Sequence, residues 1–387
     1  MNPLEKDLTE FGEIARRYSS EVIKAKKEGA KVVCWYGSYV PEELILASGA
    51  KPYILCDGGG DPVPAESALP YVLFCINIQA RHQIGMYELG MNPVIDEADR
   101  IYADTKECDG VRVADYFEFK GLPVTKLGVP QSWESDISYD YYKDQLAKMK
   151  AELEGITGEE ITDEKLSESI GKVNRIRELL GEINSMRKNQ PPAIGGEDYI
   201  RLNHYTFKTE PDVAISYLEK IVDDLKDAEP KFADDVQRIV IAGRGCTIGD
   251  YTVLKLLEES GAVVVNQLFD EGIRHLETVK ENGNPMDNLA ETYFRKKTHS
   301  ALFNPSFYER WQVVSKQIDD YDASGLLYYQ LAFDVIYDYE WPLFAKWADE
   351  KGIPFQEVES GYDLSREATG PLRTRIESFV EVCAGGK

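Results

Sequence analysis

The chain has 387 residues, of which 43% are hydrophobic and 29% charged, and its formal net charge is −24. Such a length exceeds the size at which one core keeps growing, so two domains are expected, and such a charge argues against nucleic acid or anionic lipid as a partner. No apolar run approaches the roughly 18 residues of a membrane span, and MNPLEKDLTEFGEIARRY reads as an acidic amphipathic helix start unlike a signal peptide, so the expectation is a cytoplasmic protein with no membrane partner.

In chain order, KVVCWYGSYVPEELILASGAKPYILC reads as strand, turn, helix and strand. Pro41 opens the helix, Glu42 and Glu43 fill its first turn, and Gly49 and Pro52 stop it. RIYADTKECDG and PVTKLGVP each run from a short apolar strand into a polar turn. From about residue 135 to 230 Glu, Lys, Asp and Leu recur at helical spacing, interrupted by PPAIGGED. At Gln237 the first pattern resumes with RIVIAGRGCTIGDYTVLKLLEESGAVVVNQ, then GLLYYQLAFD and IPFQEVES as strands and TRIESFVEVC as a closing helix. The predicted fold is α/β, with two Rossmann-like doubly wound lobes at 1–134 and 236–387 joined by a helical connector at 135–235.

Six cysteines are scattered through the chain without a local spacing motif. In a reducing compartment such thiols stay free, which leaves core packing, metal ligation or chemistry. Cys383, near the end of the closing helix, reads as packing. Cys34 lies inside its strand, where packing and ligation are both open. Cys56, Cys108 and Cys246 each precede a turn, in LCDGGG, KECDGV and RGCTIGD, and Cys75 follows the Leu-Pro break in ALPYVLFCINIQAR. Strand ends of doubly wound sheets collect ligands, and thiolates beside Gly-rich turns suit an iron–sulfur cluster.

Other chemistry is thinner. His82, His204, His275 and His299 have no i, i+4 partner and no zinc-hydrolase spacing. The run Gly243–Gly249 spaces its glycines as GxGxxxG, one residue longer than a dinucleotide fingerprint, although a strand before it and a helix after it would suit a phosphate. The Glu42–Glu43 pair is explained by a helix first turn.

The segments WYGSYVPEELILASGAKP, LPYVLFCINIQAR, TKECDGVRVADYF and GPLRTRIESFVE resemble, in order, the 2-hydroxyacyl-CoA dehydratase and benzoyl-CoA reductase family over nearly the whole chain. The resemblance implies an iron–sulfur cluster between the lobes. It also implies low-potential electrons from an ATP-hydrolysing iron–sulfur activator, a small-molecule or CoA-thioester substrate, and pairing as a homodimer or as a heterodimer with a homologous subunit. Cys75 and Cys108 match the first two cluster cysteines. The third is normally found where this chain reads LLYYQLAFDVIYDYEWPLF, which has none, so Asp334 either substitutes as a ligand or caps a loop.

Cys56 and Cys246 resemble further ligands of a branch that joins two cubanes into an [8Fe-9S] double cubane. That branch's first cysteine falls at Gly37 here, with Cys34 the nearest thiol. Ser38 matches a small polar residue near the family's substrate pocket. The leading expectation is therefore an activator-dependent reductase with a double cubane. A dehydratase or benzoyl-CoA reductase-like subunit with a [4Fe-4S] cluster is the first alternative, and a cluster-poor scaffold subunit the second.

Overall fold

In the computed structural model, which describes residues 2–303, 306–363 and 365–385, the chain builds two parallel four-stranded sheets. The first part runs α1 (Pro3–Lys27), β1 (Val32–Tyr36), α2 (Glu42–Ala47), β2 (Lys51–Ile54), α3 (Val63–Ser67), α4 (Ile78–Glu88), β3 (Arg100–Asp104), α5 (Cys108–Phe119) and β4 (Val124–Leu127). Four helices follow: α6 (Asp136–Thr157), α7 (Asp163–Met186), α8 (Gly196–Phe207) and α9 (Pro211–Lys226). The last part runs β5 (Gln237–Gly245), α10 (Thr252–Glu259), β6 (Ala262–Glu271), α11 (Pro285–Glu291), α12 (Phe307–Asp320), β7 (Gly325–Leu331), α13 (Val335–Lys351), β8 (Phe355–Ser360) and α14 (Arg366–Gly385).

The sheets repeat one topology, β2-β1-β3-β4 and β6-β5-β7-β8, with every pairing parallel. Central strands are covered by helices on both faces, and for that reason β1, β5 and β7 are buried at every residue and read as continuous apolar runs. Pro52 falls inside β2 instead of stopping the helix before it. β2 is an edge strand, where a residue lacking N–H is tolerated.

The helices after residue 135 are built into both cores. Leu146, Met149, Leu166 and Ile170 pack with first-sheet residues such as Trp35 and Tyr102, while Ile176, Leu180, Leu202 and Leu218 pack with second-sheet residues such as Ile239 and Ile241. Helix α7, 24 residues long, therefore carries one apolar stripe that serves two cores. The lobes also meet directly through the loops after β2 and β5, since Ile248 N–H donates to the Cys56 carbonyl at 2.8 Å and Gly58 N–H to the Ile248 carbonyl at 2.9 Å. Among the described residues no helix is long and apolar enough to cross a membrane.

Candidate functional site at the lobe junction

In each sheet the chain steps to one side of its first strand and then crosses to the other side. A crevice therefore opens beyond the C-terminal ends of β1 and β3, and another beyond those of β5 and β7. Residues 37–38, 104–108, 244–246 and 332–334 come from these four ends and meet at the junction.

One part of the junction is open. Cys108 is the first residue of α5 and Cys75 lies in the turn before α4, both exposed. Asp109 ties the start of α5 to the segment just after Cys75: its carboxylate accepts the Asn77 N–H at 3.1 Å and the Cys108 thiol at 3.5 Å. Partial burial and the Asp109 charge raise the Cys108 pKa. The turn also leans on the second lobe, with Ile78 N–H donating to the Ala332 carbonyl at 3.2 Å, Phe74 edge-on to Phe333, and Arg81 5.1 Å from the Phe333 ring centre. Apolar side chains surround this mouth. Leu73 and Phe74 are 70% and 67% exposed, and Val335, Tyr339 and Leu343 form an exposed i, i+4, i+8 stripe on α13.

Behind the mouth a buried ion network joins the lobes. Arg244, at the end of β5, donates from Nη1 and Nη2 to both oxygens of Glu107 at 2.6 Å, and its Nη1 lies 3.3 Å from Asp334 Oδ2. Burial opposes the charge on Glu107, but Arg244 outweighs it and holds that carboxyl below the usual range. Asp334 is left in excess. Burial and the neighbouring acids Glu107, Asp109 and Asp270 push its pKa up to about 8 against the pull of Arg244. Asp334 stands at the N-terminus of α13 without a side-chain capping bond, and among the described residues its Oδ2 has no hydrogen-bond partner.

The other candidate thiols lie elsewhere. Cys34, Cys56 and Cys246 are buried in three different apolar clusters, and burial pushes the Cys34 thiol up to about 12 and the other two up as well. Cys56 and Cys246 approach each other through the Ile248 bridge, and Cys383 packs against Gly325. Position 37 has no room for a side chain. Gly37 has φ +96°, and a Cβ there would overlap the Asp104 carboxylate, which already accepts the Tyr39 N–H at 2.9 Å. The run Gly243–Gly249 does not open a helix, because α10 begins only at Thr252. Gly243 instead lets β5 lie close against the Tyr329 carbonyl of β7.

Among the described residues no three His, Cys, Asp or Glu side chains stand together as a metal site. Against a thiolate-held iron–sulfur cluster, the residues that fit are Cys75 and Cys108, two open thiols from one mouth. Asp334, whose Oδ2 lies 3.3 Å from Arg244 Nη1 without accepting a hydrogen bond, is the remaining donor on the second lobe.

On the other side of the 104–108 segment lies a cavity of about 240 Å³. Ser38 lines it, accepting a hydrogen bond at Oγ from Lys106 Nζ at 3.3 Å and another at its carbonyl from Lys297 Nζ at 2.7 Å. Buried ion pairs surround it: Lys106 with Glu271, Arg177 with Glu43 at 2.8 Å, and Arg274 with Glu42 at 2.9 Å. Glu42 and Glu43 are thus more than a favourable first turn of α2. Their spacing gave no sign of the arginines, which lie far along the chain. Lys106, Glu107 and Arg244 were within sight, since each stands beside a candidate cysteine in TKEC and RGC; Lys297, in FRKKTHS, carried no local signal.

Two Rossmann-like lobes with facing switch points, a charged cavity at their junction and a pair of open thiols beside it define a two-lobed α/β protein whose chemistry sits between its halves. Residues 37–383 match the family described as 2-hydroxyglutaryl-CoA dehydratase, D-component, and the chain belongs to that family. It is 26% identical over 381 residues to YjiM of Escherichia coli (strain K12), covering 96% of this chain and 97% of that protein. It is 25% identical over 391 residues to the (R)-phenyllactyl-CoA dehydratase beta subunit of Clostridium sporogenes, covering 98% and 100%. A benzoyl-CoA reductase subunit of Thauera aromatica is 24% identical over 356 residues, covering 91% and 90%.

Proposed function

We propose that this chain is one subunit of a 2-hydroxyacyl-CoA dehydratase, that its partner is a homologous subunit, and that an ATP-hydrolysing activator supplies it with electrons. The observation that carries this reading is two exposed cysteines of one lobe, Cys108 and Cys75, with Asp109 bonding Cys108 and the Asn77 N–H two residues beyond Cys75, beside the interlobe cavity. Cys75 and Cys108 would hold a [4Fe-4S] cluster, with Asp334 as the third protein donor. Such a cluster supplies single low-potential electrons. Carboxylate is a harder donor than thiolate, so the Asp334 position is where this subunit's potential would differ from an all-thiolate relative. The protein's own part is to keep Asp334 and Glu107 aligned through Arg244.

The double-cubane reading needs further thiolates, and the burial of Cys34, Cys56 and Cys246 together with the closed position 37 weighs against it. For the partner, the exposed apolar rim of the mouth supports docking there, since it spans both lobes and contains Leu73, Phe74 and Tyr339.

The test is anaerobic turnover of a 2-hydroxyacyl-CoA thioester by the chain with its partner subunit, activator and ATP. Formation of the enoyl thioester that is lost in Cys75→Ala supports the reading. Undiminished turnover by Cys75→Ala contradicts it.

A further inference from the structure

The cations around the cavity are not alike. Lys106, Arg177 and Arg274 each face a buried carboxylate, whereas among the described residues Lys297 makes no ion pair. Lys297 is 5% exposed, lines the cavity, gives one N–H to the Ser38 carbonyl and rests with Nζ 3.4 Å from the centre of the Tyr39 ring. It is placed there by an unusual turn. Residues Thr292–Lys296 form a π-helix closed by Lys297 N–H on the Thr292 carbonyl at 2.9 Å, a geometry that is rare and frequently found at functional sites.

The walls combine the apolar Trp35, Ile54, Phe207, Leu268 and Phe269 with polar and charged side chains such as Asn266, Gln267, Glu42 and Arg274, so the cavity presents an apolar patch within a polar lining and, among the described residues, one amine without an ion pair. At about 240 Å³ it exceeds the roughly 150 Å³ that admits benzene, enough for an aryl or branched acyl tail.

We propose that Lys297 receives the carbonyl oxygen of an acyl thioester whose tail fills this chamber. The proposal rests on the dehydratase reading and adds to it the binding residue and an apolar, aryl-sized acyl class. Lys297 would give one N–H to the ligand oxygen while keeping its bond to Ser38, and Ser38 Oγ, accepting from Lys106, has its own proton free for the same oxygen.

Burial, with the Lys106 charge, pushes the Lys297 amine down to about 7, so a carbonyl oxygen meets a donor that gains a proton just below neutrality. The acids facing it are Asp104, Glu271 and Glu277, and the bases Lys106, His275 and His299. The phenols of Tyr39 and Tyr293 complete the surroundings, both held neutral by burial.

The test measures binding of two probes to the anaerobically purified complex without activator or ATP: 3-phenylpropanoyl-CoA and its thioether analogue, in which CH₂ replaces C=O. The wild type is expected to prefer the thioester about tenfold, and the preference should grow as pH falls from 8 to 6 because a charged donor binds the carbonyl more strongly. Lys297→Met should bring the ratio to about one at every pH without weakening the thioether, and Lys297→Gln, which keeps an N–H, should retain part of it. Retention of the full preference by a folded Lys297→Met, judged by an unchanged melting temperature, overturns the proposal while leaving the dehydratase reading intact. Failure of the wild type to bind either probe also overturns the proposal, by removing the aryl-sized acyl class, while the dehydratase reading stands or falls on the turnover test.

Discussion

The thiol mouth and the interlobe cavity are separated by five residues, Asp104 to Cys108, yet they are built on opposite rules. At the mouth the thiols are exposed and lightly held, while around the cavity the buried Lys106, Arg177 and Arg274 are each matched by a carboxylate. A thiol that must accept a ligand has to stay accessible, whereas a buried charge left without its partner costs several kcal/mol. Substitution should therefore unfold one region and merely disarm the other.

The sharpest way to break this contrast is Arg177→Met. It strands the wholly buried Glu43, and should cost about 3–5 kcal/mol in chemical denaturation, most of it recovered when Glu43→Gln is added. A smaller loss, about 1–3 kcal/mol, is expected for Gly37→Ala, which has to adopt a positive φ and displace Asp104. Full stability in Gly37→Ala would mean that position 37 has room for a cysteine after all.

Protonation probes the same rule away from both regions. His204 is buried between the Cys246 carbonyl and the Tyr251 hydroxyl, and burial lowers its pKa from 6.5 to about 3. The unfolded chain then takes up the proton first as pH falls, so the stability His204 contributes is complete above pH 6.5 and is lost below it. Between pH 6.5 and 5.5 the wild type should lose about 1 kcal/mol more than His204→Gln in parallel denaturation curves. The smallest effect belongs to the mouth, where Cys75→Ala and Cys108→Ala should shift the stability of the cluster-free protein by no more than about 0.5 kcal/mol. Tyr339→Glu, equally neutral for folding, should weaken subunit association in sedimentation.

Much of the fold was legible because parallel strands covered on both faces announce themselves as apolar runs, as VVCWY and RIVIA do. The resemblance carried Cys75 and Cys108. What local pattern could not reveal was pairing across the lobes: Glu42 meets Arg274, Glu43 meets Arg177 and Lys106 meets Glu271 only after both sheets and α7 have assembled. Cys56 and Cys246 are buried for a related reason. Both stand at strand ends, but the Ile248 bridge seals those ends against each other, so a turn that looks open in sequence is closed by the other lobe.

Iron and sulfide analysis of anaerobically purified protein tests the central claim most directly, with Cys75→Ala/Cys108→Ala compared against Cys56→Ala/Cys246→Ala. The expected result is about four irons per chain in the wild type, retained by the buried pair's variant and lost from the mouth's variant. About eight irons, or loss of iron with the buried pair, would contradict the assignment of the cluster to the open mouth.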